Sequence, residues 1–220
     1  KEKSQKDFGY NPLGKLASFQ LSFAERENKK AEKREHDNDH DDDRALFVNY
    51  YYDALGRRVG KNIQMKDSKK IKSFVQKYLY LADEEKILFA ENGKGEITQY
   101  IDGQGVDEHL GEVSKRHAKS YITDHLGSVL NTEAASERKM FAAFGDQLKG
   151  RFDRGEAFEI EKNSSPVVYG FAGREYDLES GIYYNRARMY NPEMGRFISK
   201  DPIGFNAGDV NLYRYVGNRP

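Results

Sequence analysis

Three short stretches carry residue types that could do chemistry. Asp124-His125 stands close to Ser128, the acid, base and nucleophile of a hydrolytic triad. No Gly-x-Ser-x-Gly elbow is present, and near neighbours on one turn cannot orient one another as a triad requires. These types suit turn capping instead, with the Asp124 carboxylate accepting backbone N–H groups. Asp107-Glu108-His109 could be posed as an acid–base cluster, but consecutive strand residues point to opposite faces, so a solvated turn is expected. The third stretch is His36-Asp37-Asn38-Asp39-His40-Asp41-Asp42-Asp43, whose carboxylates would suit Ca²⁺ and whose imidazoles Zn²⁺ or Ni²⁺. It lacks the glycine turn and terminal Glu of a Ca²⁺ loop, and blocks of charge are usually solvated. No metal and no cofactor is therefore expected.

The elements around these residues read as short strands joined by tight turns. Lys15 to Phe23 alternates Ala17, Phe19, Leu21 and Phe23 with Leu16, Ser18, Gln20 and Ser22, the period of a half-buried strand. Val75–Leu81, Ile87–Ala90 and Ile97–Ile101 are further strands; Asn92-Gly93 predicts a type I′ turn, and Asp102-Gly103 turns the chain again. An aromatic-x-x-x-Gly head recurs at Tyr10–Gly14, Tyr52–Gly56, Phe141–Gly145 and Tyr169–Gly173, an internal repeat of the kind found in strand–turn arrays. The last fifty residues place Gly173, Gly181, Gly195, Gly204, Gly208 and Gly217 between runs of Tyr, Phe, Ile and Val, again short strands. Thr132–Met140 is the best helical candidate. Glu25–Asp43 has almost no apolar side chain and reads as a disordered, charged insertion, Lys66–Lys72 as a second charged insertion, and Lys149–Pro166 as a polar loop; Asn163-Ser-Ser is a glycosylation sequon by pattern only. Arg186, Arg188 and Arg196 are expected to pair across strands with Glu175, Asp177, Glu179 and Glu193.

Composition narrows the function. Of 220 residues 37% are hydrophobic, with 15 Tyr and 13 Phe and a mean hydropathy of −0.89, lean for an independent core and suited to part of a larger shell. The 36 basic and 36 acidic side chains balance, so no long-range field steers the chain to nucleic acid or an anionic membrane. There is no cysteine, hence no disulfide and no thiolate chemistry. No apolar run approaches the roughly 20 residues of a membrane helix, and the Lys-Glu-Lys start is no secretory signal. A chain that begins in mid-pattern without an initiator Met is expected to be a piece of something longer.

The order of the C-terminal fragments, E-S-G-I-Y-Y-N-R-A-R-M-Y-N-P, G-R-F-I-S-K-D-P-I-G and N-L-Y-R-Y-V-G-N-R-P, closely resembles the Rhs repeat-associated core of bacterial Rhs and YD-repeat proteins and of Tc toxin C subunits. Y-D-A-L-G-R-R-V-G at Tyr52 resembles a YD repeat, and the stretches from Tyr80 and from Tyr121 are similar to the same family. The resemblance implies an all-β fold in which YD-repeat hairpins form part of a curved, spiralling shell, a β-cage with short helices and loops, its C-terminal segment turned inward as a plug. It divides the chain into repeat hairpins at 1–120 and the repeat-associated core at 121–220.

The same resemblance implies function. The chain would be a shell-and-plug fragment enclosing a variable C-terminal toxin for delivery to competing or host cells, secreted or at the bacterial cell surface. Its partners would be the rest of its own shell, the toxin and a secretion apparatus, with no nucleic acid and no membrane segment. In the family the core releases the toxin as an intramolecular aspartyl protease, in which two carboxylates share one proton. Asp201 of Asp-Pro-Ile-Gly matches the first aspartate; the second belongs to a motif beyond Gly-Asn-Arg-Pro, and this sequence ends at Pro220. Asp209 is a poor substitute, so the partner of Asp201 is missing and the chain alone is expected to be inactive. A carbohydrate-binding surface module is the third reading, because YD repeats also occur in cell-surface proteins.

Overall fold

The computed structural model describes residues 4–23, 44–67, 70–81, 84–132, 139–149 and 165–220. The disordered insertion expected at 25–44 falls almost wholly outside these residues, as do the acidic run at 36–43 and nearly all of the polar loop before Pro166.

The described chain is all-β. β1 (Ser4–Tyr10), β2 (Leu16–Phe23), β3 (Ala45–Tyr52), β4 (Arg58–Asp67), β5 (Lys70–Tyr80), β6 (Ile87–Glu91), β7 (Ile97–Asp102), β8 (His109–Ser114), β9 (Ala118–Thr123) and β10 (Val129–Thr132) form one ten-stranded sheet. Its spatial order is its chain order, and every pair is antiparallel. The sheet does not close, since β1 pairs only with β2 and β10 only with β9 among the described strands. A small ribbon, β11 (Met140–Phe141) with β12 (Gln147–Lys149), precedes a four-stranded meander of β13 (Glu175–Asp177), β14 (Ile182–Asn185), β15 (Arg188–Asn191) and β16 (Arg196–Phe197). Helical structure among the described residues is limited to 3₁₀ turns of three or four residues.

Four hairpins share one connector. At Asn11, Asp53, Asn92 and Asp124 the side-chain Oδ1 accepts the backbone N–H groups two and four residues on. The glycine three residues on, Gly14, Gly56, Gly95 or Gly127, has φ between 73° and 79°, a region open to Gly at no steric cost. This is the three-residue hairpin loop closed by a left-handed glycine. The type I′ turn expected at Asn92-Gly93 is therefore corrected: Gly95 alone in this turn has positive φ, and Asn92 caps the loop from outside it. The Lys66–Lys72 insertion is corrected too, because Lys66 pairs with Ile71 and Met65 with Lys72 in the β4–β5 hairpin. The helix expected over Thr132–Met140 begins and ends on strand residues, with 133–138 outside the described part.

The core lies where the C-terminal meander folds back onto one face of the large sheet. Leu16, Phe19 and Leu21 of β2, Leu46, Val48 and Tyr50 of β3, and Ile63 and Met65 of β4 pack with Ile182, Tyr184 and Met189. A second cluster joins Tyr78, Ile87, Ala90, Tyr100 and Val129 to Val167 and Tyr169. A third, Phe171, Tyr183, Tyr190 and Phe197, lies within the C-terminal part itself. Strict alternation along β2 is broken, since Leu16 as well as Phe19 is buried; a register shift between Gly9 and Tyr10 of β1 turns the strand.

Candidate functional site

Asp201 sits in a tight turn after β16. Its Oδ1 accepts the Ile203 N–H at 3.0 Å, its carbonyl accepts the Gly204 N–H, and its Oδ2 pairs with Arg188 at 3.0 Å. Arg188 lies flat on the Phe197 ring, 3.6 Å from the centroid; burial lowers its pKa, and Asp201 opposes that shift. Asp209 serves a separate turn, accepting the Asn211 N–H at 2.8 Å and pairing with Arg214 at 3.3 Å. Asp201 thus offers a fixed carboxylate held by a guanidinium, and among the described residues no second carboxylate pairs with it.

Glu175, Asp177 and Glu179, three of the carboxylates expected to pair with the C-terminal arginines, go elsewhere. Arg58, which follows the YD-type turn, donates to Glu175 and Asp177, each at 2.6 Å. Lys61 donates to Asp177 at 3.2 Å and Glu179 at 2.7 Å. Arg58, Lys61, Asp177 and Glu179 are all buried, and the rings of Tyr50, Tyr78 and Tyr184 surround the Arg58 guanidinium at 4.4–5.7 Å. Burial works against each charge. It pushes Asp177 up, but Arg58 and Lys61 outweigh it and hold the carboxyl below its ordinary value; burial and neighbouring Asp177 leave Glu179 raised despite Lys61. Two acidic groups meet here, yet their bound cations and burial make a clamp between sheet and meander rather than a protease dyad. Sequence reasoning missed it because the partners lie 116–119 residues apart.

Arg186 turns to Glu85 and Asp107, and Arg196 stacks on Tyr213 at 4.7 Å. The expectation for Asp107-Glu108-His109 is half right. Glu108 is exposed and accepts the Gly105 N–H as a turn residue does. His109 is buried instead: Nδ1 lies 2.5 Å from Asp102 Oδ1, Nε2 lies 2.8 Å from the Gly173 carbonyl, and the ring stacks on Tyr169 with centroids 3.6 Å apart. It ties β8 to the Tyr169–Gly173 head, where a Cβ on Gly173 would stand 2.7 Å from the Asp107 carbonyl. Asp124 caps its turn as expected, and buried Ser128 accepts the Ala172 N–H instead of facing a base. Among the described residues no group of His, Asp and Glu is arranged to hold a metal ion, and no helix is long and apolar enough to cross a membrane.

Against known proteins, the fold matches part of solved Tc toxin structures. The crystal structure of TcdB2-TccC3 superposes with a TM-score of 0.60 over 98% of this chain and 10% of that one, at 20% identity; the form without its hypervariable C-terminal region gives 0.62. At the sequence level the chain is 39% identical to toxin protein Tse5 of Pseudomonas aeruginosa over 100 residues, 46% of this chain and 7% of the relative. It is 30% identical to the probable deoxyribonuclease RhsA of Dickeya dadantii over 179 residues, 77% of this chain and 11% of the relative. It is 29% identical to the tRNA nuclease WapA of Bacillus subtilis over 181 residues, 79% and 7% respectively. The chain therefore spans about a tenth of the length of these relatives. No family model matches it. An open wall of capped hairpins with a C-terminal meander clamped to one face defines an Rhs-type core. The chain belongs to the Rhs and YD-repeat proteins.

Proposed function

We propose that this chain is part of the wall and C-terminal core of a toxin shell that encloses a toxic polypeptide following it, with the rest of that shell and the toxin as its partners. On this reading repeat hairpins give way to core near residue 120, and secretion or surface display of the whole assembly follows. The observation that carries it is the clamp: a ten-stranded sheet that among the described strands is open at both ends, with a second sheet bound to one face through buried Arg58 and Lys61. An open sheet in register order can be extended by further hairpins, and a clamped meander fixes where the chain leads next. In the intact polypeptide with its downstream region, limited proteolysis should spare that region until the wall is breached. Arg58→Ala, which takes the guanidinium from Glu175 and leaves buried Asp177 to Lys61 alone, should render it digestible at the same protease dose. Equal sensitivity in both proteins would remove the shell reading.

Asp201 belongs to this proposal as one carboxylate of an autoproteolytic pair, with Arg188 fixing its position. The second carboxyl group would come from outside the described residues. Asp201→Asn in the intact polypeptide should abolish release of the downstream fragment while leaving the melting temperature within a few degrees. Continued release with Asn at this position would confine Asp201 to its turn.

A further inference from the structure

Beside the clamp lies a cavity of about 350 Å³ between the β3–β4 turn, β5 and the β14–β15 turn. Its lining carries four cationic side chains, Lys15, Arg57, Arg174 and Arg186, against one carboxylate, Glu85. Arg186 spends its guanidinium on Glu85 and Asp107, and Arg174 on Asp107. Lys15 reaches in from the foot of β2 and gives one N–H to the Arg186 carbonyl at 3.0 Å; among the described residues its ammonium pairs with no carboxylate. Backbone strain gathers at the same place. Ala172 and Arg186 have φ of 50° and 54°, a left-handed region that residues other than Gly, Asn and Asp rarely adopt. Residues held in sparsely populated backbone regions cluster at ligand clamps, and here Arg186 lines the cavity. Burial lowers Lys15 and Arg174 below their ordinary values despite Glu85 and Asp107 nearby.

We propose that the cavity bounded by Lys15, Arg174 and Arg186 is an oxyanion site that takes a carboxylate or phosphate group chiefly through the Lys15 ammonium, with the N–H groups that Arg174 and Arg186 do not give to Asp107 and Glu85 as further donors. Asp53 pairs with Arg57, and Asp107 with Arg174 and Arg186, so with Glu85 the four cations of the lining keep one positive charge, which the anion would balance. Its source is either a free ion or an acidic side chain of an adjoining polypeptide segment. The site does not depend on the shell reading, because every residue that forms it lies within this chain.

Calorimetric titration of the intact polypeptide at fixed ionic strength, with inorganic phosphate and separately with the peptide acetyl-Asp-Glu-Asp-amide, tests it. Saturable binding of at least one probe is expected. Lys15→Gln should weaken it by roughly tenfold, the size of one charge-assisted hydrogen bond; Lys15→Arg should retain it, and Lys94→Gln on an exposed turn should not change it. Lys15 is half-buried at a hairpin foot, so these variants should fold, and equal melting temperatures would confirm that. Binding of phosphate alone would mark a free-ion site, and tighter peptide binding would mark a polypeptide carboxylate. No saturable heat with either probe, or an equal loss in Lys94→Gln, overturns the proposal.

Discussion

Glu112 shows at the scale of one residue how this lean core tolerates charge. It is buried on β8, and its two oxygens receive Lys119 and His117 on one side, Tyr121 and Ser165 on the other, at 2.7–3.1 Å. Burial raises its pKa, but the hydrogen bonds from Lys119, Ser165 and Tyr121 outweigh that and bring it below the ordinary 4.5. A carboxyl lowered in the folded state adds stability that is present above 4.5 and is lost as pH falls through the lower folded value. The part of the urea-unfolding midpoint that Glu112 supplies, read as the difference between the parent and Glu112→Gln, should accordingly be steady from pH 7 to about pH 5 and shrink below pH 4.5. Glu112→Gln should lower the neutral midpoint and flatten that acid limb, because Gln keeps the shape but not the charge. An acid limb as steep in Glu112→Gln as in the parent would assign the effect to the other lowered carboxyls, Asp177, Asp53 and Glu96.

The hairpin connector is the element that repeats, and its chemistry divides between an oxygen and a glycine. Asn11 and Asn92 do what Asp53 and Asp124 do, so the turn needs an acceptor oxygen rather than a charge. Asp53→Asn should then lose mainly its half-buried pairing with Arg57, about 0.2–1 kcal/mol. Gly56→Ala should cost more, about 1–2 kcal/mol, for placing a Cβ at φ 79°; the Lys15 side chain at 3.4 Å adds no clash. Urea midpoints of the two variants rank them, and a reversed order would mean that charge holds the turn. These turns explain what was legible in the sequence. Strands β5, β6 and β7 follow from local alternation, and the recurring glycine heads follow from a left-handed requirement met every few dozen residues. The Asn92-Gly93 reading failed because it took the dipeptide for the turn itself, while the cap bonds reach four residues along. The clamp, the buried His109 and the second partners of Arg186 and Arg188 were not legible, since each joins segments that local pattern cannot bring together. Burial of a charged residue in Y-D-A-L-G-R-R was the available signal: Arg57 lies on the ring of Tyr80, while the next residue, Arg58, faces the interior.

For the whole molecule, the question is whether the large sheet stands without the meander. Ten strands in chain order give mostly local pairings, and each hairpin can form early. One face, however, carries Leu46, Val48, Ile63 and Met65, all nearly inaccessible in a cluster to which the meander contributes Ile182, Tyr184 and Met189. Burying those three covering side chains is worth about 1.5–3 kcal/mol each, together a large share of the 5–15 kcal/mol by which domains are usually stable. Removing the meander would also leave Arg58 and Lys61 on the sheet face without the carboxylates that hold them. A chain ending before Glu175 should therefore lose its cooperative unfolding transition, bind a hydrophobic dye and be digested within the β3–β4 region first. Supplying residues 165–220 as a separate polypeptide should restore the transition, and Asp177→Asn in that polypeptide should weaken the rescue, since Lys61 and Arg58 would face an amide. A truncated sheet that melts as sharply as the intact chain would show that the wall is self-sufficient and that the meander is an addition to it rather than the surface against which it folds.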